Sequence, residues 1–206
     1  MKPFTLLEGP AAPLMRDNID TDIIVRIERI AKLKRGQFAP WAFEVLRYRD
    51  DGSENPDFIL NRAPFRHARI LLSGANFGCG SSREMAVWSI EEFGIGCVIA
   101  ESFGDIFYGN CLQNGVLPIK LARADIDVLA AAAATGAALT VDLAAGTIAS
   151  PSTATIAFAF PEAQRDALLS GRDEVDQTVA MADQIDAFQA QDRLKRPWAW
   201  PVQATA

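Results

Sequence analysis

Between Gly74 and Met85 the chain reads GANFGCGSSREM. Three glycines, a thiol, two hydroxyls, a guanidinium and a carboxylate fall within these few positions, between an apolar run and a helix-like run. Residues of these types at a strand-to-helix junction fit the chemistry of an anion. Gly78 and Gly80 let the main chain come close to a ligand. A helix start offers unpaired N–H groups and the positive end of a dipole. Ser81-x-x-Glu84 has the spacing of a capping box that would open the helix. Arg83 then falls in the first turn, where an acid is the preferred residue. A guanidinium fork placed there can grip a carboxylate in bidentate fashion. The plain alternative is that Ser81 or Ser82 is a helix cap without chemistry. Cys79 then reads as a small buried filler, His67 as a surface or packing histidine, and the four tryptophans as core or interface aromatics.

Familiar motifs do not account for this stretch. Gly78-Cys-Gly80-Ser-Ser-Arg83 begins like a dinucleotide fingerprint but ends on Arg, losing the third glycine that packs helix on strand. No Gly-Lys-Ser/Thr follows, so it is not a Walker phosphate loop. Gly80-Ser-Ser82-Arg-Glu84 lacks the last glycine of a nucleophile elbow, and the single histidine, His67, precedes the serine. Cys79, Cys97 and Cys111 form no CxxC pair and give no zinc or iron–sulfur ligand set at the usual spacings. Metal chemistry here requires a metal on another chain.

The elements that must position the junction can be read on either side of it. Arg69–Ser73 is a short, apolar, buried strand closed by Gly74. Residues 83–93 form a helix whose apolar face is Ala86, Val87 and Ile90, stopped by Gly94 and Gly96. Cys97–Ala100 is the next strand, 103–112 a helix opened by Ser102 and ending at Asn114-Gly115, and 117–121 another strand. This β-loop-α-β-α-β order implies α/β architecture with a parallel sheet. Residues 125–134 read as an alanine-rich helix ended by Gly136. Residues 139–143 and 147–150 read as a hairpin around Ala145-Gly146, and 155–160 as a strand. Pro161 suits the first turn of a helix, and 173–193 has the spacing of one amphipathic helix. Residues 36–63 form a long connection, with a helix over 40–48, of the kind that carries function.

Composition bounds the class. Of 206 residues, 50% are hydrophobic and 22% charged, as in globular proteins with a real core. The net charge of −6 disfavours nucleic-acid binding. The one cationic cluster, Arg26, Arg29, Lys32, Lys34 and Arg35, is interleaved with apolar residues and reads as a solvated face, or as a face toward an anionic ligand or partner. No apolar run is long enough for a bilayer, and Pro and Glu interrupt the N-terminal stretch, against a signal peptide. A cytoplasmic, reducing compartment is expected from the odd thiol count.

NFGCGSSRE followed by AVW, then VIAESFGDIFYGNCLQNGVLPIKL, resembles the small-subunit family of 3-isopropylmalate dehydratase, the detached swivel domain of the aconitase superfamily. DNIDTDIIV near the N-terminus, DGSENPDFILN at 51–61 and AMADQIDAF near the end resemble it too. The resemblance implies one three-layer β/β/α swivelling domain over 1–206, with 36–63 as a specificity or interface connection and a C-terminal helix and tail at 173–206. It implies a hydro-lyase acting on a small 2-hydroxy di-acid in leucine biosynthesis. It also implies a large-subunit partner that carries a [4Fe–4S] cluster, this chain binding none. Ser81 matches the catalytic serine base and Arg83 the arginine that holds a substrate carboxylate. Ser82 and Gly80 match the rest of the cradle, and Thr21 and Asp22 a second motif at the site. Arg26 is a weaker candidate for another carboxylate. The chain departs where the family reads Ser-Ser-Arg-Glu-His-Ala, having Met85 for the histidine. It also has Arg26 where a proline is usual, and residues 32–48 differ. These departures bear on which 2-hydroxy acid is used: 2-isopropylmalate, or a related 2-methylmalate, homoaconitate or aconitate substrate. A carboxylate-binding module without catalysis is the competing class.

Overall fold

The structure, a computed structural model, describes residues 1–201. The chain divides into two compact units, Met1–Gly171 and the residues from Arg172 on. In the first, β1 (Leu6–Leu14) leads into two short helices, α1 (Thr21–Ile24) and α2 (Ile27–Ile30), and then a third, α3 (Glu44–Arg47). There follow β2 (Ile70–Ser73), α4 (Glu84–Phe93), β3 (Cys97–Ala100), α5 (Asp105–Asn114), β4 (Leu117–Lys120) and α6 (Arg123–Ala134). Strands β5 (Ala138–Asp142), β6 (Thr147–Ser150) and β7 (Thr153–Ala157) and helix α7 (Glu162–Ser170) complete the unit.

The strands form one seven-stranded sheet in the order β4-β3-β2-β1-β5-β6-β7. From β1 to β4 all pairs are parallel; from β1 through β5 and β6 to β7 they are antiparallel. The β/α alternation expected from the apolar runs is present, and the architecture is the mixed α/β one. Every residue of β2 and β3 is buried, as in a sheet covered on both faces. One face carries Leu71, Val98 and Ala100 beneath Ala86, Val87 and Ile90 of α4 and Phe107 and Cys111 of α5. The other carries Ile70, Leu72, Ile99 and Ile119 with Ile126, Leu129 and Ala133 of α6, continuing to Val141 and Ile148. Helix α6 touches β1, β2, β3 and also β7, so the sheet curls around it. Gly94 at φ +111° and Gly115 at φ +76° end α4 and α5 in the left-handed conformation that glycine adopts without cost.

Strand β1 is not foreseen by the apolar pattern, because Gly9, Pro10 and Pro13 interrupt it. Proline is disfavoured in a central strand, since it cannot donate to a ladder. The stagger of the pairing explains its presence. Leu6–Pro10 pair with β5, and Ala11–Leu14 pair with β2 on the other side. Each half of β1 is therefore paired along one edge, with Pro10 O at the crossover accepting from Arg69 N (2.9 Å). Pro118 lies in β4, the edge strand of the same sheet.

The connection over 36–63 is ordered by short turns. A 3₁₀ turn (Ala39–Trp41) and α3 replace the single helix expected over 40–48, and a second 3₁₀ turn (Ile59–Asn61) closes the connection. Phe43, at φ +53°, breaks that helix. Arg47 is buried and donates to the carbonyls of Pro40 (3.3 Å) and Ala39 (3.4 Å) and to Asn61 Oδ1 (3.2 Å). Asn61 Nδ2 donates back to the carbonyls of Arg47 (2.7 Å) and Asn55 (2.8 Å). Burial pushes the Arg47 guanidinium below its ordinary pKa.

In the second unit, α8 (Glu174–Val179) and α9 (Ala182–Lys195) stand where one amphipathic helix over 173–193 was expected. Neither buries a residue, and Val175, Val179, Phe188 and Leu194 are exposed. The apolar spacing of that stretch therefore does not mark a buried face within its own unit. No helix among the described residues is long and apolar enough to cross a membrane.

Candidate functional site

The junction lies beyond the carboxyl ends of β1, β2 and β3, the region where open parallel sheets bind ligands. It is stitched to two other segments. On one side, Asn18 N donates to Ala75 O (2.9 Å), Gly78 N to Ile19 O (2.7 Å) and Thr21 N to Cys79 O (2.9 Å). Asp17 Oδ1 accepts from Ala75 N (2.8 Å), and Asn18 Oδ1 from Asn76 Nδ2 (2.8 Å). On the other side, Phe77 N donates to Ser102 O (2.9 Å) and Gly104 N to Phe77 O (2.9 Å). Ser102 Oγ accepts from Asn76 N (2.8 Å) rather than opening a helix, and α5 starts three residues later with Gly104 at its cap. The loop thus continues the sheet order in irregular form, with isolated bridges Asp20–Cys79 and Phe77–Phe103.

Glycine is sterically required at Gly78 in the loop and at Gly104, which faces it from the start of α5. A side chain at Gly78 (φ +71°) would run into the Phe107 ring at 2.1 Å. One at Gly104 would meet the Gly78 carbonyl at 2.7 Å. Gly80 has φ +95°, and a Cβ there would make only ordinary contacts with Asp20 and Thr21 at 3.5 Å, so it is the backbone conformation, a sharp turn before the two serines, that asks for glycine. Ser81 and Ser82 are exposed. Thr21 is buried and its Oγ1 donates to the Ser81 carbonyl (3.2 Å). Asp20 caps α1, its Oδ1 accepting from Ile23 N (2.7 Å), and so fixes the Thr21-Asp22 pair under the loop. Asp22 Oδ1 accepts from Arg83 Nη1 in a close ion pair whose arginine side chain is mostly covered and whose carboxylate is open. Ser81, Arg83, Gly80, Thr21 and Asp22 are therefore brought together.

Arg26 is not part of that group. It pairs with Glu28 (3.2 Å) and lines a separate cleft of about 680 Å³ with Arg29, Trp41, Glu44 and Tyr48. There Arg29 lies 3.4 Å over the Trp41 ring and binds Glu44 through two nitrogens, at 2.5 and 2.9 Å. Arg35 pairs with Glu91 (3.0 Å), so three members of the cationic cluster are neutralised by carboxylates within the chain.

The expected capping box does not form. Helix α4 begins at Glu84 with Arg83 at its cap in extended conformation and without a side-chain cap bond. Glu84 Oε1 instead accepts from Asn114 Nδ2 (3.0 Å). Met85 is half-buried and packs against the hydrophobic core, so the thioether faces protein. Cys97 and Cys111 are buried, which pushes both thiols far up; Cys79 is raised less, by burial and then by the Asp20 charge. Among the described residues no three His, Cys, Asp or Glu side chains converge. Asp17, Asn18, Asn76 and Ser102 escape a reading of the sequence as site residues; only the turn-prone character of Asp and Asn hints at them.

These features are those of an aconitase-type swivel domain. Residues 1–124 match the family model of the aconitase C-terminal domain, and the chain belongs to that family. It is 47% identical, over 97% of its length and all of the relative, to the 3-isopropylmalate dehydratase small subunit of Nitrobacter winogradskyi. The same figures hold for the small subunit of Brucella canis. The crystal structure of a 3-isopropylmalate dehydratase (leuD) from Methanocaldococcus jannaschii matches it with a TM-score of 0.64 at 25% identity, over 91% of this chain and 99% of that one.

Proposed function

We propose that the chain is the small subunit of a 3-isopropylmalate dehydratase, working in the cytoplasm with a large subunit in the conversion of 2-isopropylmalate to 3-isopropylmalate in leucine biosynthesis. The observation that carries this reading is the 47% identity to such small subunits across 97% of the chain. Residues 1–206 then act as one swivel subunit, with 173–206 as its extension and 36–63 as a specificity or interface connection. In this reading a [4Fe–4S] cluster belongs to the large subunit, where it would supply a Lewis-acidic iron.

The residues of this chain account for the proton and the carboxylate. Dehydration removes a proton from the carbon next to the one bearing the hydroxyl, and that carbon sits beside a carboxylate. As the C–H bond breaks, charge spreads onto the carboxylate oxygens, so donors fixed at that carboxylate stabilise the transition state more than the ground state. Arg83 supplies those donors. Asp22 takes one guanidinium nitrogen and holds the plane of the fork, leaving the others for substrate. Ser81 Oγ, held as the alkoxide, receives the proton and becomes the hydroxyl, which returns a proton when water adds in the opposite sense. The Thr21 bond to the Ser81 carbonyl fixes the main chain that carries this hydroxyl, while Gly80 and Ser82 complete the cradle.

The test is anaerobic turnover of the chain co-expressed with a 3-isopropylmalate dehydratase large subunit after cluster reconstitution, following alkene absorbance with 3-isopropylmalate, 2-methylmalate and citrate. Turnover with 3-isopropylmalate, abolished in Ser81→Ala and lowered in Arg83→Lys in kcat as well as in kcat/KM, is the expected result. A fully assembled, cluster-loaded complex silent with 3-isopropylmalate would overturn it. Preference for another acid would favour a related hydro-lyase, a second reading that rests on Arg26 and the altered 32–48 segment around the 680 Å³ cleft.

A further inference from the structure

We infer that Asn114, at the end of α5, is a positioning residue that keeps the Glu84 carboxylate away from the Ser81–Arg83 main chain. Ser81-x-x-Glu84 has the sequence of a capping box, in which the acidic side chain folds back onto the amide three residues before it. The same chain closes such a box where nothing competes. At α8, Asp176 N donates to Asp173 Oδ1 (2.8 Å) and Asp173 N to Asp176 Oδ2 (3.4 Å). At α4 the acid is engaged elsewhere. Asn114 is buried and its three bonds leave it one orientation: Nδ2 donates to Glu84 Oε1 (3.0 Å) and to the Asn110 carbonyl (2.9 Å), and Oδ1 accepts from Trp88 Nε1 (3.0 Å). Trp88 belongs to α4 itself, so Asn114 grips that helix at its first and second turns.

The consequence lies at the loop. Among the described residues nothing accepts a hydrogen bond from the main-chain N–H of Ser81, Ser82 or Arg83. Glu84 is the first residue of α4, so release from Asn114 frees its carboxylate at the helix end that those amides precede. Folded back, it would take the Ser81 N–H and set a second carboxylate beside Arg83, which Asp22 already serves. A negative charge there opposes both a substrate carboxylate and any anionic character on Ser81 Oγ. Asn114 thus protects the charge balance of the loop from a side chain whose local preference is to enter it.

The effect on turnover rests on the roles given above to Ser81 and Arg83; the effect on Glu84 does not. In the assembled enzyme, Asn114→Ala is expected to lower kcat/KM on the order of tenfold, and adding Glu84→Ala to restore it to within about threefold of the parent. Asn114→Asp, which keeps an acceptor for Trp88 but repels Glu84, is expected to resemble Asn114→Ala and serves if the alanine variant folds poorly. A merely structural Asn114 gives a double variant no better than the single one, and that result overturns the inference. The second readout needs no turnover. In the isolated full-length chain, the Ser81 amide proton of Asn114→Ala is expected to gain a carboxyl titration between about pH 3 and 6, absent from Asn114→Ala/Glu84→Ala. Identical titration curves in both also overturn it, whether or not the chain is a dehydratase subunit.

Discussion

Replacing Gly78 by alanine tests whether the loop owes its path to contact with α5. The added methyl would lie 2.1 Å from Phe107 Cγ and 2.5 Å from its Cδ1, at a backbone φ of +71°. Phe107 is 2% exposed and packs edge-on against Phe77 with ring centroids 5.4 Å apart, so it has no open side to move to. Two costs add. A left-handed backbone costs an alanine about 1–2 kcal/mol, and forcing a methyl into a filled core about 1–3 kcal/mol. The expected loss is about 2–5 kcal/mol, a urea midpoint lower by roughly 1–2.5 M for a slope near 2 kcal/mol/M. Urea titration of the isolated chain, followed in parallel by tryptophan fluorescence and far-UV circular dichroism, measures it and checks that the transitions coincide. Gly36→Ala is the control: its φ is +92° but nothing lies within 4 Å of the new methyl, so only the backbone cost applies. Phe107→Leu added to Gly78→Ala should recover part of the packing cost. Equal losses for Gly78→Ala and Gly36→Ala would refute the argument, because the difference between them is the contact with Phe107.

Arg47→Met keeps the stem and removes the buried donors to the carbonyls of Ala39, Pro40 and Ala42. It is expected to cost about 2–4 kcal/mol in urea unfolding and to speed limited proteolysis within 36–63; an unchanged cleavage rate there would count against Arg47 as the anchor of that connection. Iodoacetamide at neutral pH is expected to modify Cys79 slowly and buried Cys97 and Cys111 not at all in the native chain. Burial and the Asp20 charge hold the Cys79 thiol protonated to higher pH than usual, so its labelling rate, read by mass spectrometry, should rise only above the ordinary thiol pKa of about 8.5. Asp20→Asn should bring that rise to lower pH.

Strands β2 and β3 were legible because each is a short run buried on both faces and the helix that follows each is stopped by a glycine. The hairpin of β5 and β6 was legible for the local reason that Ala145-Gly146 separates two alternating runs. Strand β1 was not. Its prolines argue against a central strand, and only the stagger between β5 and β2, fixed by residues far along the chain, makes them tolerable. The second unit misled in the opposite direction, since its apolar spacing reads as a helix with a buried face and both its helices are exposed.

The site divides along the same line between local and distant causes. Gly78, Gly80, Ser81 and Arg83 announce an anion-binding turn through residue type alone, and Thr21-Asp22 join them through the resemblance. What the local pattern got wrong is the cap. Ser81 and Glu84 have the spacing to close on each other, and Ser102 stands where a helix opener would. In the structure, Glu84 goes to Asn114 and Ser102 to Asn76, each a partner more than twenty residues away in sequence. The first leaves main-chain donors of the loop without the partner a local box would give them, and the second takes up the Asn76 N–H and ties the loop to the segment before α5. A capping motif that is spelled in the sequence but broken by a distant residue frees the helix end for another use, and in the function proposed above that use is the site of Ser81 and Arg83.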